Sequence, residues 1–167
     1  MGRYRPPTAP KSPYITRQGF LHLQAEEQAL WRRRRDVVQA LAAAAAEGDR
    51  SENAEYIYRK KELREIDRRI RYLQKRLPRL KVVEQAPENR RQIFFAAWVT
   101  LEQEDGASRE YRIVGPDEID HQSGYISMDS PLARALMKRH LDEEVRVAAP
   151  GGESVYWIVD IRYEGEP

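Results

Sequence analysis

The chain has 167 residues, 41% hydrophobic and 34% charged, with no apolar run long enough for a membrane-spanning helix. It has no cysteine, which excludes a disulfide framework and a thiolate zinc site and fits a reducing cytoplasm. The net charge of +2 conceals a split: residues 1–91 hold 22 of the 29 Lys and Arg and 12 of the 27 Asp and Glu, a net of +10, and the remainder nets −8. Such an asymmetry predicts two modules with different partners, nucleic acid for the basic half and protein for the acidic half.

Residues 1–13 carry Pro6, Pro7, Pro10 and Pro13 among Arg3, Arg5 and Lys11. Proline at this density withholds backbone donors, so the segment is expected to be a disordered basic arm. It lacks the apolar stretch of a secretory signal. Two roles stay open for it, an unstructured tail or a contact to phosphate.

Thr16 is a good N-cap for a helix starting near Arg17. Apolar residues then recur at Phe20, Leu23, Leu30, Val37, Leu41 and Ala44, a coiled-coil-like spacing interrupted by Glu27 and Arg34. The pattern stops at Gly48. A second helix is expected from about Ser51, with a regular seam at Leu63, Ile66, Ile70, Leu73 and Leu77, ended or bent by Pro78. Two long helices joined by a short turn pair antiparallel, so residues 14–81 predict a coiled-coil hairpin about 40–45 Å long. Its tip reads GDRSEN.

Residues 82–91 read as a polar linker. Beyond it the periodicity changes to that of strands, over 93–102, 109–115, 124–128, 143–149 and 154–164, with turns at EDGA and PGG. Residues 130–139 form a helix, with Ser130 as N-cap and Pro131 at the first helical position. Residues 92–167 therefore predict a small α+β domain built on one antiparallel sheet. Trp98 and Trp157 are expected in or near its core.

Two readings of the tip are open. With Asp49 as N-cap, Glu52 falls at the third helical position, a capping-box geometry. Spacing alone favours this. The same two carboxylates could also grip a divalent cation, but they leave its shell incomplete, so another molecule would have to finish the site. On the second helix Lys61, Arg64, Arg68, Arg71 and Lys75 are spaced 3, 4, 3, 4 and lie opposite the apolar seam. From 59 to 76 there are nine basic and three acidic residues, so pairing within the helix cannot neutralise the stripe. That predicts phosphate contact without sequence readout, weighed against a merely solvated face. His22, His121 and His140 are scattered, and neither a Gly-rich phosphate loop nor a nucleophile elbow is present. No self-contained active site can be assembled.

The segments ITRQG (15–19), GDRSENAEY (48–56), KKELREIDRRIRYL (60–73), FFAAWV (94–99), RIVGPDEI (112–119) and YISMDSPLARALM (125–137) together resemble the GreA/GreB family, the bacterial transcript-cleavage factors of RNA polymerase, and its GreB branch in particular. The resemblance spans about residues 14–164. It implies an N-terminal antiparallel coiled coil that threads the polymerase's secondary channel and an FKBP-like α+β C-terminal domain that docks at the channel rim. It implies that Asp49 and Glu52 help hold a second Mg²⁺ jointly with polymerase and orient a water there. It assigns the stripe to the extruded 3′ end of nascent RNA in backtracked complexes, and Asp129, Ser130 and Pro131 to polymerase contact. The FKBP-like shape implies no prolyl isomerase activity.

The expected function is that of a cytoplasmic, monomeric elongation factor that is not itself an enzyme. It would stimulate Mg²⁺-dependent hydrolytic cleavage by the polymerase and rescue arrested complexes. A secondary-channel plug without cleavage is the alternative, because Glu47 and Glu55 add acidity near the tip. A coiled-coil RNA-binding adaptor is a third.

Overall fold

The computed structural model describes residues 8–48 and 53–164, in two compact units. The first joins the N-terminal residues through Gly19 to residues from Lys81 onward, and the second is Phe20–Leu80. The start of the first helix, through Gly19, thus clusters with the sheet.

In the helical unit, α1 (Arg17–Ala45) and α2 (Ala54–Arg76) run antiparallel. Their cross-links fix the register: Glu26 meets Arg69, Arg33 meets Glu62, Arg34 meets Asp67, and Ala44 meets Asn53. The seam follows the apolar spacing, with Val37, Ile66 and Ile70 buried together and Leu30 and Leu63 packed on them. A 3₁₀ turn at Leu77–Arg79, containing Pro78, ends α2 as expected. At 23 residues α2 is shorter than predicted.

The start of α2 corrects the capping expectation. Its N-cap is Asn53, whose side-chain oxygen accepts the Tyr56 amide. The cap thus lies after both tip acids in the chain, and Asp49 and Glu52 themselves lie outside the described residues.

The other unit holds seven strands among the described residues. Its main sheet runs β5 (Tyr125–Ser127), β4 (Ser108–Val114), β3 (Trp98–Gln103), β7 (Gly152–Arg162), β6 (Glu144–Ala149). Neighbours are antiparallel except β4 and β5, which are parallel. The predicted first strand is shortened, because Ala96 adopts φ 72° and turns the chain before Trp98. The helix α3 (Pro131–Leu136) is capped by Ser130, which accepts the Ala133 amide. Ile93, Val99, Leu101, Ile113, Leu136, Val145 and Ile158 form the core with α3 against the sheet. Trp98 is buried and Trp157 half-buried.

Two strands were not expected. β1 (Tyr14–Thr16) pairs in parallel with β2 (Lys81–Val83), and the Lys81 amide donates to Pro13 O. The supposed linker thus begins as a strand. The arm is also tied down at its end: the Ser12 amide donates to Asp129 Oδ2 at 3.0 Å, and its hydroxyl donates to Oδ1.

Candidate functional site: the helical hairpin and its anchor

The connection between the helices, residues 46–53, is short. Asn53 closes it, donating from Nδ2 to Ala44 O at 2.7 Å while capping α2. One side chain thus ties the last turn of α1 to the first turn of α2, on either side of the segment that carries Asp49 and Glu52.

Along α2 the basic residues divide. Arg59 bonds Glu55 and Glu62, and Arg69 forks onto both oxygens of Glu26. From α1, Arg33 meets Glu62 at 2.6 Å and Arg34 meets Asp67 at 2.7 Å. Burial alone would raise the Glu62 carboxyl, but the bonds from Arg33 and Arg59 outweigh it and hold it below the ordinary range. The second class is the predicted stripe. Lys61, Arg64, Arg68, Arg71 and Lys75 are all exposed, and among the described residues none has an ion pair. Arg71 makes a long bond to Asp67 O at 3.4 Å, which leaves its charge uncompensated. A groove beside it is lined by Trp31, Arg34, Asp67, Ile70, Arg71 and Gln74.

The carboxylate that holds the start of α1 within the sheet unit escaped the sequence reading. Glu118 is completely buried. Its Oε2 accepts the Thr16 and Gly115 amides, each at 2.9 Å, and its Oε1 accepts the Thr16 hydroxyl. That hydroxyl in turn accepts the Gly19 amide at 3.0 Å, the N-cap bond predicted for Thr16. The carboxylate therefore holds the first turn of α1, where the helix dipole favours negative charge. Both nearby glycines are needed for approach: a Cβ on Gly19 would lie 2.1 Å from Glu118 Oε1, and one on Gly115 would lie 2.0 Å from Tyr14 O. Burial pushes the Glu118 carboxyl above its ordinary value, against the opposing bonds from Thr16 and Gly115 and the charge of Arg112. A glycine in the first turn of a helix was the available signal, since its conformational cost normally marks a close approach.

The third predicted group lies at the start of α3. Asp129 is half-buried and holds Ser12, its amide donates to Ser127 Oγ at 3.1 Å, Ser130 caps the helix, and Pro131 is exposed. This group lies in the sheet unit and the stripe lies in the helical unit.

Residues 13–82 match the family described as transcription elongation factor, N-terminal, and residues 87–163 match transcription elongation factor, GreA/GreB, C-term. Three similar proteins carry the name Transcription elongation factor GreB. That of Pseudomonas aeruginosa is 55% identical over 168 residues, with 100% of each chain covered. That of Yersinia pestis is 56% identical, covering 92% of this chain and 90% of its own. That of Xanthomonas axonopodis pv. citri is 55% identical, covering 98% of both. The chain belongs to the GreA/GreB family of transcription elongation factors.

Proposed function

We propose that this elongation factor binds RNA polymerase, inserts the helical hairpin into the secondary channel and stimulates the polymerase's own hydrolytic cleavage of backtracked RNA. The observation that carries the reading is the placement of the GDRSEN sequence in the connection between two antiparallel helices, stapled by Asn53 to Ala44. A narrow two-helix element can enter a channel that a sheet domain cannot. Asp49 and Glu52 then serve a catalytic centre that the partner owns.

Asp49 and Glu52 would hold a magnesium ion only jointly with polymerase. Two carboxylates do not fill a near-octahedral oxygen shell, and among the described residues no group of three or more His, Asp or Glu could hold a metal. When bound, such an ion supplies electrostatic stabilisation of the reacting oxygens. The chain's own part is to place two negative side chains and to exclude bulk from the tip. The exposed stripe of Lys61, Arg64, Arg68, Arg71 and Lys75 binds the phosphates of the nascent RNA 3′ end. Asp129, Ser130 and Pro131 contact polymerase from the sheet unit. The plug alternative gains nothing from Glu55, which is engaged by Arg59 at 2.7 Å.

The test uses a halted, backtracked polymerase complex with Mg²⁺. The unaltered protein shortens the RNA. Asp49→Asn and Glu52→Gln each abolish shortening while polymerase binding stays within about twofold, since neither change removes a large contact. Blocked extension without shortening identifies a plug, and unchanged cleavage by both variants refutes the metal role.

A further inference from the structure

The exposed indole of Trp31 has no evident structural duty. It lies on α1 at 41% exposure, whereas the buried side of this helix is carried by Leu23, Val37 and Ala44. It lines an open groove of about 440 Å³ between the two helices, together with Arg71 and Gln74 of α2. The groove's one acid, Asp67, is held by Arg34 at 2.7 Å, so it presents no free negative charge. Arg71 belongs to the exposed cationic row and has no ion pair among the described residues. An apolar ring face, an uncompensated guanidinium and a side-chain amide thus border one shallow space.

We propose that this groove is a stacking subsite for an unpaired base of single-stranded RNA: Trp31 takes the base face, Gln74 its polar edge, and Arg71 the adjoining phosphate. The proposal rests on the RNA contact assigned to the stripe and adds a component that phosphate neutralisation cannot supply. Cations alone hold a polyanion in any register. A ring fixes one nucleotide, because every base has a π-face to stack while the backbone follows the charged row. Charge decides the occupant. Nine basic residues against three acidic ones between 59 and 76 favour a polyanion over an apolar peptide.

The experiment measures the affinity of the full chain for two ligands, a short single-stranded oligouridylate and an abasic ribose-phosphate oligomer of the same length and charge. Trp31→Ala is expected to weaken oligouridylate binding about tenfold, in the range for loss of one base stack, and to leave the abasic oligomer and the salt slope unchanged. Trp31→Phe should retain most of the affinity. Arg71→Gln should weaken both ligands and lower the slope. Equal losses on both ligands for Trp31→Ala, no loss on either, or no binding of oligouridylate by the unaltered chain would overturn the subsite. So would unchanged RNA affinity with weakened polymerase binding, which would make the groove a protein contact. The ligands are measured without polymerase, so failure of the cleavage reading leaves this result interpretable by itself.

Discussion

Replacing Glu118 should separate the hydrogen-bonding role of its carboxylate from its charge. Glu118→Ala removes the acceptor of two buried amides, Thr16 N and Gly115 N, and the partner of the Thr16 hydroxyl. Each orphaned donor costs about 1–3 kcal/mol, and a cavity adds to this. Release of a desolvated charge offsets part, leaving roughly 3–5 kcal/mol, a large fraction of a typical 5–15 kcal/mol. Glu118→Gln behaves differently. Both amides address Oε2, so a carboxamide oxygen placed there keeps both bonds. Its NH₂ then faces the Thr16 hydroxyl, which can rotate and accept. The expected cost is below about 1.5 kcal/mol.

The two states also differ in pH response. Burial raises the folded-state carboxyl above its unfolded value, so the folded chain binds the proton more tightly than the unfolded one. Stability therefore falls as pH rises from the ordinary carboxylate value through the raised one, and is flat above it. Glu118→Gln should abolish this component. Urea unfolding of the sheet unit, followed by tryptophan fluorescence across the acid range, reads both effects. A Gln variant as unstable as the Ala variant, or one with the unaltered pH slope, would refute this account of the anchor.

Gly19→Ala should be severely destabilising in the native background, where its Cβ meets Glu118 Oε1, and nearly neutral once Glu118 is Ala, whereas Gly115→Ala should stay severe in both because its obstacle is the backbone of Tyr14; a double-mutant cycle by urea unfolding measures the difference. Asn53→Ala removes the cap on Tyr56 N and the staple to Ala44 O. It should cost the hairpin about 1–2 kcal/mol and speed amide exchange at Tyr56, without changing exchange in the sheet. Neutralising Arg64, Arg68 and Arg71 together should lower the log–log salt slope of single-stranded RNA binding by about 2. An unchanged slope, measured by fluorescence anisotropy, would make the stripe a solvated face.

What the sequence disclosed depended on the range over which each signal acts. The α2 seam, the Ser130 cap and the glycine turns are local, and each could be read from a few neighbouring residues. The pairing of Tyr14–Thr16 with Lys81–Val83 could not: three residues are too few for an alternation, and the partners lie far apart in the chain. Glu118 is harder still. In RIVGPDEI it looks like a turn acid, and its burial makes sense only once Thr16 and its amide are placed beside it. The start of α2 was missed because Asp49, Ser51 and Asn53 are all competent caps, and local preference does not choose among them.

The candidate RNA face follows from how the hairpin distributes its acids. Glu26, Glu62 and Asp67 each engage an arginine across the helix pair, from either α1 or α2. Every one of these acids is thereby committed to register, and exposed pairs of this kind contribute little stability individually. Their larger effect is on the field. Had the same carboxylates faced outward among Lys61, Arg64, Arg68, Arg71 and Lys75, the row would be a self-neutralised helix surface with no preference for a polyanion. Because they lie at the helix–helix boundary, the outer row keeps its charge. Moving one acid outward, with its arginine partner replaced by a neutral residue, would lower the net charge by only one yet place a carboxylate within the row, so net charge is a poor guide to the binding face. Which cations lack a carboxylate partner is the better one: along α2, Lys61, Arg64, Arg68, Arg71 and Lys75 form a row that has no ion pair among the described residues.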